Sequence, residues 1–122
     1  MISIQEEDFS PEEIMDAMKV PQAGAIVSFL GVVRKDSGVS SGLEVEAYEG
    51  MALEKLKEVA KGAKRRFEVE DVSIVHRVGK LAVGENITFI AVSSAHRSAG
   101  FAAAKWMIDE LKKVVPLWKK EV

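Results

Sequence analysis

Hydrophobic and polar positions along the chain change their period several times, and each change marks an element. Residues 2–5 alternate and predict a short edge strand. Ser10-Pro-Glu-Glu13 is a capping-box pattern with proline at the first helical position, so a short helix follows, through about Lys19. Residues 24–34 are β-branched and mostly apolar, which predicts a buried strand ending on the charge of Arg34. Residues 35–42, rich in serine and glycine, read as a mobile loop. Residues 43–49 alternate, with Leu43, Val45 and Ala47 on one face and Glu44, Glu46 and Tyr48 on the other, as in a half-exposed strand. Apolar residues at 52, 53, 56, 59, 60, 63 and 67 have helical spacing. Residues 69–78 and 86–93 read as two strands joined through 79–84. A long helix runs from about Ser98 to Val114, Pro116 bars its continuation, and the tail beyond is extended.

The resulting order is βαββαββαβ. Helices are interleaved with strands, yet several strand pairs are close enough to be hairpins. That favours an α/β (α+β) sandwich with a mixed, mainly antiparallel sheet over a doubly wound one. No repeat, low-complexity tract or linker divides residues 1–122, so one domain is expected.

Composition narrows the chemistry. At 122 residues, 48% apolar and 30% charged, the chain has an ordinary globular balance. A formal charge of −2 argues against general binding to nucleic acid or membrane surfaces, and no apolar run approaches the ~20 residues needed to span a bilayer. The acidic start is unlike a signal peptide, so a cytoplasmic chain is expected. There is no cysteine, which excludes disulfides, zinc–thiolate sites and cysteine nucleophiles. With only His76 and His96, a histidine-rich metal site is not expected either. Chemistry must run on lysine, arginine, histidine, carboxylates or backbone.

Charge is unevenly spread. Residues 96–122 hold six Lys/Arg and three Asp/Glu, whereas the other 95 residues hold eleven and sixteen. Positive charge gathered at one end of an acidic chain suggests a site for an anion. His96-Arg97 opens the long helix, where free N–H groups and the positive dipole end favour phosphate or carboxylate; the alternative is a helix-start turn with an exposed arginine. At 3.6 residues per turn, Phe101, Ala104, Ile108 and Val115 share an arc with Lys112 at its edge. A lysine there is either partly desolvated, with a usable amine, or a snorkelling side chain whose stem covers the core. Lys119 and Lys120 follow Trp118 on an extended segment and point to opposite faces. Arg34 ends a buried strand, where a charge meets solvent or a cleft. Arg77 reads as a surface cation, and Lys64-Arg65-Arg66 as a solvated helix face.

Helix length adds a constraint. Arg97 and Lys112 are fifteen residues apart on one helix, which is about 22 Å. One small ligand cannot touch both within a subunit. Either they serve different sites, or a two-fold partner brings its helix start to this helix end, as a C2 dimer would.

Several motifs then stand in order along the chain. They are Gly24-Ala25 through Phe29-x-Gly31-x-Val33-Arg34, Tyr48-Glu49-Gly50-Met51, His76-Arg77-x-Gly79-x-Leu81-x-x-Gly84-Glu85, Ser94-Ala95-His96-Arg97-Ser98, Asp109-x-Leu111-Lys112, and Pro116-x-Trp118-Lys119-Lys120-Glu121. In this order and spacing the chain resembles the MoaE family, the large catalytic subunits of molybdopterin synthase. The resemblance implies an α/β hammerhead with an added antiparallel β subdomain. It implies a sulfurtransferase of molybdenum cofactor biosynthesis that converts cyclic pyranopterin monophosphate to molybdopterin by installing two dithiolene sulfurs. The sulfur would come from a thiocarboxylate on the C-terminal Gly-Gly tail of a small ubiquitin-like carrier subunit, within a heterotetramer built on a central homodimer. No metal or other cofactor is implied. Lys112 and Lys119 match the family's two essential lysines, and Arg34, His96 and Arg97 its substrate-anion contacts. Val32, Val33, Lys120 and Glu121 flank them and are expected at the same pocket. The family also places the His-Arg pair across the dimer interface from the lysines. Many members continue beyond the Lys-Lys-Glu motif, so a pocket wall supplied there by that tail is expected to be absent or replaced here.

Two other readings use the same residues. A non-catalytic anion- or nucleotide-binding module would need the helix start but not Lys112. A nucleic-acid-binding domain would use Lys64–Arg66 and the basic tail, against the net negative charge and the lack of an aromatic stacking pattern.

Overall fold

Two sheets share one apolar seam, and their arrangement places the basic end of the chain. The computed structural model describes residues 1–35 and 41–122. In chain order the elements are β1 (Ile2–Gln5), α1 (Pro11–Ala17), β2 (Ala25–Val32), β3 (Gly42–Ala47), α2 (Glu49–Arg66), β4 (Asp71–Arg77), β5 (Gly79–Ala82), β6 (Asn86–Ser94), α3 (Arg97–Val114) and β7 (Leu117–Glu121). The loop expected over 35–42 lies largely outside the described residues.

Four strands form the larger sheet in the order β1-β4-β6-β2, with β1 parallel to β4 and the other pairs antiparallel. The smaller sheet, β5-β3-β7, is wholly antiparallel. This is the mixed, mainly antiparallel α/β architecture that the pattern predicts, with the added antiparallel β subdomain that the resemblance implies. One strand was not anticipated. Residues 79–82 read as a connection, but they pair with β3 between Gly79 and Gly84, whose φ values of +97° and +92° suit glycine.

Helices α2 and α3 cover one face of the larger sheet. Leu56, Val59 and Ala63 of α2 and Ala103, Met107 and Leu111 of α3 are buried against Ile74, Ile90 and Val92. On the opposite face, α1 buries Ile14 beside Met18, Val75 and Phe89; Ser10 caps it by accepting from the Glu13 amide at 3.1 Å. A third cluster, with Val33, Val45, Val78, Leu81 and Ile87, packs the two sheets together.

The buried face of α3 differs from the expected arc. Gly100, Ala103, Ala104, Met107 and Leu111 are buried, whereas Phe101 is 63% exposed. Small residues set this face. A Cβ added at Gly100 would lie 2.9 Å from Val27 Cγ2, so the helix start comes too close to the sheet for a large side chain. Phe101 is therefore turned outward.

Arg77 also departs from expectation. It is 7% exposed, and its guanidinium donates to the Glu6 carbonyl at 3.0 Å and the Asn86 carbonyl at 2.9 Å, beside the Glu85 carboxylate at 3.4 Å. It ties β4 to the chain leaving β1 and to the start of β6. Alternation along β4 could not show that these acceptors converge there.

α2 and α3 meet at Gly62, where an added Cβ would stand 2.6 Å from the Trp106 ring. That ring is held by Phe67, with centroids 6.2 Å apart, and by the Arg66 guanidinium 4.9 Å from its centroid. Gly62→Ala gains about 1 kcal/mol of helix propensity but overpacks a pinned ring, at a cost of about 1–3 kcal/mol. The expected result is a lower urea midpoint with unchanged slope; a higher midpoint would show that the ring yields.

Candidate functional site

A cleft of about 640 Å³ opens where β2 ends, α3 ends and β7 begins. That volume is in the range of small-molecule sites. Three segments far apart in sequence supply its cations: Arg34 just after β2, Lys112 from the last turns of α3, and Lys119 from β7.

Local structure explains each placement. β2 slips register between Gly31 and Val32: Gly31 pairs with Thr88, but Val32 pairs with Asn86. Such a bulge re-aims the residues that follow, and both Gly31 and Val32 line the cleft. A Cβ at Gly31 would lie 2.7 Å from Thr88 Cγ2, so this wall admits only glycine without rearrangement. On α3, Ile108, Leu111 and Lys112 face the cleft together, so the lysine follows an apolar wall to its rim. Pro116 ends that helix region, and β7 runs antiparallel to β3 with Val45 opposite Lys119 and Glu44 opposite Lys120. Leu117 and Lys119 then face the cleft, and Lys120 the other side.

The depressed amine of this site belongs to Lys119. Desolvation by the cleft, then the positive charge of Lys112, holds it below the ordinary lysine range. Both effects disfavour the ammonium form. Two lysines thus share one small volume: Lys119 has a raised fraction of neutral amine, and the pair attracts an anion.

One wall residue has no assigned role in the sequence analysis. His76 is 3% exposed and lines the cleft. Its Nδ1 lies 2.8 Å from the Arg77 carbonyl oxygen. Burial, with a further push from Lys119, lowers its pKa to about 4 against the pull of that hydrogen bond, so the ring is neutral near pH 7. The signal was present in the period of two along β4: Ile74 faces the helices, so His76 must face the same way, toward the end of α3.

The remaining predicted residues lie elsewhere. His96 and Arg97 are exposed at the opposite end of α3, and neither lines the cleft. His96 is the N-cap residue without a side-chain cap bond, while Ser94 Oγ donates to its carbonyl at 2.6 Å. Val33 is buried in the seam between the sheets, its amide bonded to the Glu85 carbonyl at 2.9 Å and its carbonyl to the Gly84 amide at 2.7 Å. Lys120 and Glu121 are exposed on β7 outside the cleft lining. One chain therefore gathers Val32, Arg34, Lys112 and Lys119, and leaves the His-Arg pair at a distance. Among the described residues, no helix is long and apolar enough to cross a membrane.

Comparison with known proteins agrees with the motifs. The family described as MoaE protein matches residues 4–114. The molybdopterin synthase catalytic subunit of Caulobacter vibrioides is 39% identical over 123 aligned residues, covering 99% of this chain and 82% of that protein. Among solved structures, molybdopterin synthase from Staphylococcus aureus superposes with a TM-score of 0.92 at 35% identity, covering 98% of this chain and 88% of that one. A chain from the complex of subunits 1 and 2 of the Helicobacter pylori molybdopterin-converting factor shares the fold, with a TM-score of 0.84 at 21% identity over 99% of this chain and 84% of that one.

Proposed function

The chain belongs to the MoaE protein family, and from that premise we propose that it does the work of a molybdopterin synthase catalytic subunit. It is a sulfurtransferase of molybdenum cofactor biosynthesis, converting cyclic pyranopterin monophosphate to molybdopterin. The observation that carries the site assignment is the meeting of Lys112, Lys119 and Arg34 in one cleft from three separate segments. A small ubiquitin-like subunit delivers the sulfur as a C-terminal thiocarboxylate. The term catalytic subunit in the relatives' name implies such a second subunit, and a chain without cysteine must receive its sulfur from elsewhere.

In this reading the thiocarboxylate tail enters the cleft and its negative charge meets the two lysines. Arg34 holds the anionic pterin. As sulfur attacks a side-chain carbon, Lys112 stabilises developing charge or moves a proton, and Lys119, with its depressed amine, orients substrate or shares the proton transfer. The reading takes residues 1–122 as one domain, supported by the seam that joins the two sheets. It also takes the location as cytoplasmic, as befits a cofactor-biosynthesis enzyme.

His96 and Arg97 complete the site from a second copy. Their separation from Lys112 along α3, about 22 Å, supports a two-fold dimer with composite sites inside a heterotetramer. Lys120 and Glu121 rim the same composite pocket, as does Val33 through its neighbours.

Mixing this protein with cyclic pyranopterin monophosphate and thiocarboxylated small subunit should yield dithiolene. Saturable pterin binding with no product would overturn the reading in favour of a non-catalytic anion-binding module. The composite site has its own arm. Arg97→Ala and Lys112→Ala should each be inactive alone. Mixed in equal amounts and allowed to exchange, they should recover about a quarter of wild-type turnover, because half the dimers then carry one intact site. No recovery would place both residues in one subunit's site.

A further inference from the structure

We propose that His76 is a positioning residue, its Nε2 accepting a hydrogen bond from the Lys119 amine and aiming that amine into the cleft. The inference rests on the functional reading above only for its activity arm.

The geometry fixes the tautomer. The Arg77 carbonyl oxygen is only an acceptor, so Nδ1, 2.8 Å away, must carry the proton. In a neutral ring Nε2 is then bare and can only accept. Among the described residues Nε2 has no protein hydrogen-bond partner, and unlike Ser93 Oγ it is not fully enclosed. It therefore opens on the cleft that His76 lines. What faces it there is cationic: Lys119 from β7, Lys112 from α3 and Arg34 after β2. Of these, Lys119 is the one whose charge adds to burial in holding the ring's pKa down. The bond is not formed in the structure as it stands; a turn of the flexible Lys119 stem would bring its amine to Nε2, and an acceptor on a cleft wall facing a cluster of donors is satisfied most directly by one of them.

The arrangement suits its neighbours. A carboxylate in place of His76 would neutralise Lys119 and weaken its hold on an anionic substrate. A neutral acceptor orients the amine without cancelling its charge. An unpaired Lys119 would instead have a flexible four-carbon stem and no fixed direction.

Two isosteric substitutions separate this role from a structural one. His76→Asn keeps a donor at the Nδ1 position for the Arg77 carbonyl but removes Nε2. His76→Gln places an amide oxygen where Nε2 was and gives up the Nδ1 bond. We expect His76→Asn to lower kcat at least tenfold, the scale of losing one hydrogen bond to a charged group, with little change in KM, and His76→Gln to restore most of it. A purely structural histidine predicts the reverse order, and that order would overturn the proposal.

A second measurement needs no turnover. Long-range proton–nitrogen NMR of the wild-type ring should show Nδ1 protonated and Nε2 bare, and Lys119→Met should move the Nε2 resonance toward that of a free acceptor. A protonated Nε2, or a resonance indifferent to Lys119→Met, would overturn the proposal even if the protein proved to have no synthase activity.

Discussion

Lys119→Ala and Lys112→Ala should each lower dithiolene formation by about 10²–10⁴, the usual worth of a positioned acid–base or charge-stabilising group. Neither change should disturb the fold. Both residues are exposed, and among the described residues neither forms an ion pair whose loss would strand a buried partner. Urea midpoints and assembly with the small subunit should therefore match wild type. The two lysines should differ on conservative replacement. Lys119 is the amine held low by its surroundings, so its role draws on access to the neutral form. Arginine keeps the charge but does not release a proton near neutral pH; Lys119→Arg should therefore stay impaired. If Lys112 serves as a fixed charge, Lys112→Arg should recover part of the rate. Single-turnover measurement with thiocarboxylated partner separates these outcomes from changes in binding. Wild-type turnover by either alanine variant would remove that lysine from the catalytic site.

How the lysines were legible while His76 was not shows what a sequence pattern carries. Lys119 and Lys120 follow a proline-stopped helix on an extended segment, and a period of two alone sends them to opposite faces. The register of β7 on β3 does so, with Lys120 beside Glu44 and Lys119 in the cleft. Lys112 was placed at the edge of an apolar stripe, and it stands on the cleft wall beside Ile108. The stripe is wider on paper than in the structure, because periodicity weighs Phe101 by its hydrophobicity, and Phe101 is exposed. The packing instead selects Gly100, Ala103 and Ala104 for their small size. Arg77 and β5 failed for a different reason. Their partners, Glu6, Asn86 and β3, are distant in sequence, and no local period encodes an acceptor that arrives from elsewhere in the chain. His76 belongs with them. Its strand position is readable, but that it shares a cleft with Lys119 of β7 is not. The His-Arg pair stands at the far end of α3 from the cleft, as the length of that helix requires.

Acid should weaken this protein through His76, and the sign can be worked out. In the folded state its pKa is lowered to about 4, first by burial and then by the charge of Lys119, against an ordinary value of 6.5. Above pH 6.5 the ring is neutral whether the chain is folded or not, so it contributes no pH dependence. As pH falls below 6.5 the unfolded chain takes up a proton that the folded chain refuses, and stability drops by up to about 1.4 kcal/mol per pH unit. The loss is complete once the folded ring also protonates, near pH 4. A shift of this size corresponds to about 3 kcal/mol across the window, a large fraction of a small domain's stability. Chemical denaturation at intervals between pH 8 and pH 4.5 should therefore show a falling stability for wild type. His76→Asn should flatten most of that slope, since its side chain does not titrate. Parallel curves for wild type and His76→Asn would mean that the ring protonates as easily in the folded protein as in the unfolded chain. The neutral acceptor on the cleft wall would then be lost below pH 6.5, and with it the fixed direction of the Lys119 amine.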